Sequence, residues 1–548
     1  MKDDGNLYIT GGKWRGCMYG VYELLERYIG WRFFYNKQTD SYLTKDADDA
    51  YYLYDSDHVD IPAGINDTQV PSFAYRQGRY TWYYNYDEHA KLRESRSLRN
   101  LSKYNGYGSA TFSAAVHGFR DAVNAGVIPD YDYGGYDIGS PQPCYNNEEV
   151  IEAAKTYFLG QIEKKIASGY EIGKDITVVD VAQLDSGSFC KCKTCINAIA
   201  KERSGVASVL YFTNEMADVI GEAYPGLWVS MFAYYGTSTP PAKTMPRDNV
   251  NVSYCFYNDI DKLTCGNHTL DGKNCTEHPD DSYGTSNYNY AAEFDRWCQI
   301  AKRITVWYYP GNWALNSITN STIKTMLKDM RYFSDNGVYG IYPCCSNPKK
   351  ETDWESIDAL MLHLYNRLLW NAEMTEEEFQ AEIDDYLYVL YGEGGKFVGD
   401  YYKWLETTDR IGCWPFMLGF GDPRKRIDFS KVHDEFELCL SMFDDAVKYA
   451  PSAKAEYGVR LASRSMYVRG LISVYHDWYE NGNDAQKARY TELWEYFRDL
   501  AVNSSYILSG GKCAVLSDFD ISENIGAMVD RFEESPTRVS DWYDWQKY

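Results

Sequence analysis

Residues 176–195 read ITVVDVAQLDSGSFCKCKTC. The first part is an apolar, β-branched run typical of a buried strand, and it stops at Asp185 in a Ser-Gly loop. A carboxyl group at the end of a buried strand is partly withdrawn from water, a setting that suits a general acid. The stretch therefore predicts a strand that delivers an acid to an active-site rim. The alternative is that Asp185 only caps the segment that follows.

Short apolar runs alternate with helical patterns on both sides of this stretch. Predicted strands lie at 73–80, 110–116, 141–145, 176–184, 228–235, 250–257, 304–309 and 338–343. Helical periodicity covers 153–166, 208–224, 291–304 and 322–337. Eight strands with helices between the later ones, within about 300 residues, predict a (β/α)8 TIM-type barrel. A doubly wound open sheet is the alternative, although no glycine-rich phosphate-binding loop follows any of the strands.

Two regions flank the predicted barrel. Residues 1–70 show a strand, a glycine turn, a helix and a second strand, which predict a small α/β domain that ends in a Gly/Pro/Asn-rich linker. Residues 371–548 carry long amphipathic helical patterns without strands between them. We therefore expect three domains, with the barrel at 71–370 and an α-helical domain after it.

The composition narrows the choice of partners. The chain has a net charge of −24, which disfavours nucleic acid, and no segment is apolar enough to span a bilayer. It holds 52 Tyr and 15 Trp, whose flat faces and polar tips suit sugar rings, although Tyr could also simply replace Phe in cores. No signal peptide is visible before the strand-like NLYIT, so we expect a fragment whose export signal lies upstream.

Catalytic and binding side chains of a barrel lie at the carboxyl ends of its strands. That rule selects Arg76, His117, Asn147, Gln183, Asp185, Tyr234, Asn258, Asp259, Trp307 and Tyr308. Asp185 and Asp259 form the candidate acid pair, and the others are candidate sugar-binding residues. The alternatives are a core role for His117, loop packing for Tyr308 and capping for the two aspartates.

The cysteines after Asp185 have the density of a metal knuckle. Cys190, Cys192 and Cys195 would need a fourth ligand, for which Cys255, Cys265, His268 and Cys275 are candidates. Free thiols or disulfides that hold the loops are the favoured alternative. No HExxH, GxSxG or Walker-type sequence occurs, so we expect neither a catalytic metal nor another cofactor.

Several segments resemble known families. The stretch GGKWRGCMYGVYELLERYIGWRFF at 11–34 resembles the small α/β domain that precedes the barrel in α-glucuronidases and hexosaminidase-like enzymes. The segments PSFAYR, QPCYNNEEV, QLDSGSFCKCKTC and ITVWYY resemble a bacterial domain family, formerly of unknown function, that includes glycoside hydrolase family 163. The resemblance implies a secreted or cell-surface endo-β-N-acetylglucosaminidase that acts on oligosaccharides or glycoprotein glycans. Its mechanism would be retaining and assisted by the substrate acetamido group.

The same resemblance assigns the family's acid to Asp185 and shows where this chain departs from the pattern. It has Asn258 in place of a glutamate after strand six, Tyr308 in place of the aspartate of W-D-Y, and Pro-Cys-Cys at 343–345 in place of Glu-Gln-Gly. Asp259 is the candidate replacement partner. A carbohydrate-binding pseudoenzyme that keeps the barrel and has lost the acid pair is the alternative.

Overall fold

The computed structural model describes residues 6–12, 16–33, 51–53, 60–76, 117–129, 141–256, 282–308, 321–343, 356–408 and 428–463, with short pieces at 466–467, 469–470, 483–489 and 491–492. The predicted strand at 110–116, Asn258, Asp259, Cys265, His268, Cys275 and the chain beyond residue 492 lie outside these ranges.

The strands are β1 (Trp31–Phe33), β2 (Tyr51–Leu53), β3 (Tyr75–Arg76), β4 (Val178–Asp180), β5 (Trp228–Ala233), β6 (Val250–Cys255), β7 (Arg303–Tyr308) and β8 (Gly340–Pro343). The helices are α1 (Gly16–Tyr28), α2 (Phe119–Asn124), α3 (Glu148–Ala167), α4 (Lys193–Glu202), α5 (Ala207–Ala223), α6 (Ser282–Ile300), α7 (Ile323–Asp335), α8 (Ser356–Trp370), α9 (Glu376–Tyr391), α10 (Gly395–Thr408), α11 (Phe429–Asp434), α12 (Phe436–Lys448) and α13 (Ala453–Ala462).

Six parallel strands form a curled sheet in the order β3-β8-β7-β6-β5-β4. The first of these strands pairs with the last, which is the strand order of a (β/α)8 barrel. The described residues therefore show a half-barrel with α-helices in the connections from β3 to β4, β4 to β5, β6 to β7 and β7 to β8, and closure of a complete barrel stays a prediction. The antiparallel pair β1-β2 forms a separate sheet.

The prediction of a strand at 141–145 is wrong. The segment PQPCY is irregular in the structure, because Pro141 and Pro143 have no N–H to donate to a sheet ladder. It still lies beside the chain after β4, since the Gln142 N–H donates to the Ser188 carbonyl at 2.8 Å.

The two faces of the curled sheet have different neighbours. On the outer face, the Tyr254 ring lies 5.3 Å from Phe294 of α6, and its hydroxyl donates to the Tyr290 carbonyl. On the inner face, the Asn251 amide donates to the hydroxyls of Ser230 and Thr305 at 3.0 Å each. The inner face is thus polar near the amino ends of the strands, where these hydrogen bonds join β6 to its neighbours β5 and β7.

The N-terminal segment is attached to the helical region by a cluster of charges. Arg32, on β1, donates to Asp385 of α9 at 2.6 Å. Arg367, on α8, contacts both Glu26 of α1 at 3.1 Å and Glu382 of α9. Burial raises the pKa of Glu26 to about 7, whereas Arg367 is the main cause that lowers the pKa of Glu382 to about 2 against the effect of burial.

The helices after residue 370 pack on one another, with α9 contacting α10 and α10 contacting α12. Thr375 and Glu378 begin α9 with a capping box, in which each side chain accepts a hydrogen bond from the other residue's backbone N–H. Among the helices of the described ranges, none carries an apolar stretch of the length that a bilayer crossing needs. The boundaries of the three expected domains stay a prediction.

Candidate functional site at the carboxyl ends of the strands

Asp185 lies at the rim of the sheet, five residues after the end of β4. Tyr234, which directly follows β5, donates its hydroxyl to Asp185 Oδ1 at 2.8 Å. His117 Nε2 lies 3.9 Å from the same oxygen. The carboxylate is 26% exposed, so it contacts protein on one side and is accessible to a ligand on the other.

His117 is held in one tautomer by the backbone. Its Nδ1 lies 2.6 Å from the Gln183 carbonyl oxygen, which can only accept, so Nδ1 carries the proton. Burial is the main cause that lowers the pKa of the imidazole, against the opposing effect of Asp185. Neutral His117 therefore has an unprotonated Nε2 beside Asp185 Oδ1, so the site offers two neighbouring acceptors to a hydroxyl group of a ligand.

The backbone at His117 is strained. Its φ of 58° lies in the left-handed region, which is unfavourable for a side chain of this size. Gly118 follows because a Cβ there would lie 2.1 Å from the Asp180 carbonyl oxygen of β4. This close backbone approach brings the histidine to the rim beside Asp185.

Two carboxamide side chains clamp the segment that carries Asp185. The Gln142 amide donates to the carbonyls of Leu184 at 2.6 Å and Ser186 at 2.8 Å, and its oxygen accepts from the Leu184 N–H at 3.0 Å. On the other side, the Gln183 amide donates to the Phe232 carbonyl at 3.1 Å. These bonds replace the strand ladder that ends with β4, and they position the carboxylate from both sides.

An aromatic layer lies below the rim on the inner face. Trp307 pairs in register with Cys255 of β6 and Tyr342 of β8, so the three side chains share one level of the sheet. The Trp307 ring lies 4.3 Å from Tyr342 and 5.3 Å from Phe232, and it is 7% exposed. Burial, with Asp185 as a second cause, raises the pKa of the Cys255 thiol well above its usual range. This level forms a mostly apolar floor under Asp185.

Arg76 and Tyr308 do not join this group. Arg76 is buried, donates to the Phe73 carbonyl at 2.7 Å and lies over the Trp370 ring. Tyr308 is 1% exposed and stacks on Tyr365 of α8, because it is one residue past Trp307 and therefore faces the helices. Their burial on the outer side speaks against the predicted sugar-binding roles.

Asn147 and Gln183 also have structural tasks. Asn147 caps α3, its side-chain oxygen accepting from the Glu149 N–H at 2.9 Å. Gln183 is 1% exposed, and besides Phe232 it donates to the Thr237 hydroxyl at 2.9 Å. These hydrogen bonds explain Asn147 and Gln183 without a ligand, and their predicted sugar-binding role stays a prediction.

The cysteines form a cluster that the sequence interpretation found only in part. Cys144 Sγ lies 3.7 Å from Cys195 Sγ and 3.9 Å from Cys192 Sγ, and Cys190 joins the group. The Cys195 backbone N–H is the main cause that lowers the pKa of Cys192 to about 7, while burial raises the pKa of Cys144 to about 12.

Cys144 and Gln142 are the residues that sequence reasoning missed. Both lie in the segment 141–145, which the sequence predicts to be strand three, the neighbour of strand four. Because neighbouring parallel strands end at one edge, that adjacency was the available signal for both residues. Cys255, one of the proposed fourth ligands, lies instead on the inner face near Asp185.

A family model described as a domain of unknown function, DUF4838, matches residues 47–403. This range contains the whole curled sheet and every residue of the site. The chain belongs to the DUF4838 family. No curated protein matches the sequence.

The DUF4838 chain is similar in fold to a family GH115 4-O-methyl-alpha-glucuronidase with specificity for decorated arabinogalactans. The TM-score is 0.54 at 12% sequence identity, over 92% of this chain and 68% of that one. A second match, a GH138 enzyme targeting pectin rhamnogalacturonan II, has a TM-score of 0.30 at 10% identity, over 96% of this chain and 89% of that one. The first similarity supports a glycoside hydrolase-like fold.

Proposed function

We propose that this chain is a retaining glycoside hydrolase that cleaves N-acetylhexosamine-containing glycans in the manner of an endo-β-N-acetylglucosaminidase. The observation that carries the proposal is the position of Asp185. Its carboxylate is fixed by the Tyr234 hydroxyl at 2.8 Å, faces His117 and lies on a clamped segment at the strand ends. Preorganised acids at this edge are the usual catalytic groups of barrel-type hydrolases. The resemblance to glycoside hydrolase family 163 is the reason for proposing N-acetylhexosamine as the sugar.

In the proposed mechanism the substrate acetamido oxygen attacks the anomeric carbon, and the glycosidic oxygen leaves with a proton from an acid. We assign Asp185 to the acetamide, whose N–H it accepts, because Oδ1 already acts as an acceptor for Tyr234. Asp259 is the candidate for the acid that protonates the leaving oxygen. Water then attacks the anomeric carbon from the face that the leaving group vacated and gives its proton to the Asp259 carboxylate. The bond to the acetamido oxygen breaks, and the anomeric configuration is retained.

The floor of the site is aromatic and closely packed. Trp307 and Tyr342 are 7% and 8% exposed below the carboxylate, which leaves a small apolar surface for the face of a pyranose, and Phe232 packs behind Trp307. Glycoprotein glycans lie outside the bacterial cytoplasm, so the proposal includes a secreted or cell-surface location.

A second candidate is a carbohydrate-binding protein without hydrolytic activity. The observation that favours it is the identity of the residues that end three strands. β6, β7 and β8 end with Cys255, Tyr308 and Pro343, none of which is an acid. A protein of this kind would use the aromatic floor for binding and Asp185 for orientation.

Released sugars distinguish the two candidates. The protein is incubated with a panel of glycoproteins and free N-glycans, and the products are followed by mass spectrometry. We expect release by the parent protein, a loss of about 10²-fold or more in Asp185→Asn and Asp259→Asn, and a smaller loss in Tyr234→Phe. Asp218→Asn is the matched control. Asp218 is an exposed residue of α5 that pairs with Arg247, so we expect this variant to keep full activity.

The outcomes are separable. Release that survives Asp185→Asn with unchanged kinetics contradicts the site assignment. Glycan binding without release by the parent protein supports the second candidate and rejects the hydrolase.

A further inference from the structure

Four cysteines from two separate segments converge beside the site. The Sγ atoms of Cys144, Cys190, Cys192 and Cys195 all lie within 4.8 Å of one another. The distances from Cys144 to Cys195 and Cys192 are 3.7 and 3.9 Å. A tetrahedral metal with bonds of about 2.3 Å to sulfur requires sulfur atoms about 3.8 Å apart. The distances from Cys144 to Cys195 and Cys192 match this value, and the other separations lie within about 1 Å of it or below it.

Hydrogen-bond donors and the N-terminus of one helix face the cluster. The Asn146 side-chain amide donates to Cys195 Sγ at 3.3 Å, and the Cys195 backbone N–H lies 3.5 Å from Cys192 Sγ. Cys192 is the N-cap of α4, so the positive end of that helix faces the cluster. Asn146 is in turn fixed by a 2.6 Å bond to the Ser208 hydroxyl, as expected of a residue that orients a metal ligand.

We propose that Cys144, Cys190, Cys192 and Cys195 bind one structural Zn²⁺ ion. Four thiolates in a tetrahedral arrangement select zinc among the common divalent ions, and the small sulfur separations fit one ion better than an iron–sulfur cluster. Because all four positions are filled by protein sulfur, the site has no open position for water or substrate, and its role is structural.

The zinc site fixes the geometry of the proposed active site without taking part in the chemistry. Cys144 is two residues after Gln142, whose amide holds Leu184 and Ser186. Cys190 is five residues after Asp185 on the other segment. A single ion would thus cross-link the two segments that the Gln142 clamp joins, and it would stabilise the loop that carries the carboxylate.

Metal analysis of the full chain tests the proposal. Protein purified under reducing conditions without added metal is measured by inductively coupled plasma mass spectrometry, and we expect about one zinc per chain. Cys144→Ser and Cys192→Ser should each lower the zinc content at least about fivefold, since a three-thiolate site holds zinc more weakly. Cys17→Ser, which changes an exposed cysteine outside the cluster, is the matched control and keeps the zinc.

X-ray absorption on the parent protein covers the case in which the variants do not fold. Four sulfur neighbours at about 2.3 Å from zinc support the site. Zinc with nitrogen or oxygen neighbours, iron in place of zinc, or zinc that persists in Cys192→Ser overturns it. A metal-free protein whose four cysteines are thiols or disulfides by mass spectrometry overturns it as well. None of these measurements depends on hydrolytic activity, so the proposed function can fail while the zinc site stands.

Discussion

Replacing Gln142 with leucine tests whether one side-chain amide holds the segment that carries Asp185. Gln142 is 5% exposed, and its carboxamide is fully used. It donates to the carbonyls of Leu184 and Ser186, and it accepts from the Leu184 N–H and the Tyr145 hydroxyl. Leucine has a similar volume but makes none of these bonds, so the substitution separates hydrogen bonding from packing.

The magnitude follows from what the substitution leaves behind. Leu184 is fully buried, and the substitution removes the Gln142 oxygen from its N–H, whereas its carbonyl still accepts from the Ser186 N–H at 2.9 Å. A buried main-chain group that loses its partner costs about 1–3 kcal/mol, so we expect Gln142→Leu to destabilise this segment by about 1–3 kcal/mol. A central value near about 2 kcal/mol corresponds to local opening that is roughly 30-fold more frequent.

Hydrogen–deuterium exchange of peptides that cover residues 182–189 measures this opening directly. We expect exchange there to accelerate by that factor, while peptides of α12 exchange as in the parent protein. Gln380→Leu is the matched control, because Gln380 is an exposed glutamine that bonds only its helix neighbour Asp384 among the contacts described. Exchange at 182–189 that differs from the parent by less than about threefold would refute the reasoning.

Two further predictions concern the helical region. Glu26→Gln should raise the free energy of unfolding relative to the parent at neutral and higher pH. The pKa of Glu26 is about 7 in the folded protein, against an ordinary value of 4.5. The parent therefore loses about 3 kcal/mol of unfolding free energy relative to the variant as the pH rises from 4.5 through 7. Urea unfolding at pH 4.5 and pH 8 measures this, and a difference between parent and variant that is the same at both pH values contradicts it. Thr375→Ala should lower the free energy of unfolding by about 1 kcal/mol through loss of the capping box with Glu378. An unchanged urea midpoint would show that the cap does not contribute.

The sequence alone predicts runs that overlap the six strands of the parallel sheet, and it places Asp185 after β4, while the catalytic role of Asp185 stays a prediction. The runs at 228–235, 250–257 and 304–309 are apolar and β-branched, and each became a strand of the curled sheet. Strand formation in such runs depends on local composition, which can be read along the chain. The same pattern places Asp185 beyond the carboxyl end of a strand, and in the structure it follows the end of β4 by five residues.

Other features needed the tertiary structure. Trp307 and Tyr308 are both aromatic, so their pattern cannot set which one faces the inside, and a shift of one residue exchanges the two faces. Pairing of β7 with its neighbours puts Trp307 inside and Tyr308 against the helices. Arg76 behaves in the same way, since its row in the sheet is the outward one.

The clearest case is the segment 141–145. Its sequence predicts a strand, but its two prolines have no N–H to donate to the hydrogen bonds between strands. Yet the segment carries Gln142 and Cys144, which contact residues more than 40 positions later. Local composition determined the strands and the position of Asp185 after one of them. The clamp and the four-cysteine cluster depend on contacts between distant segments, and only the packing of strand ends against one another brings those segments together.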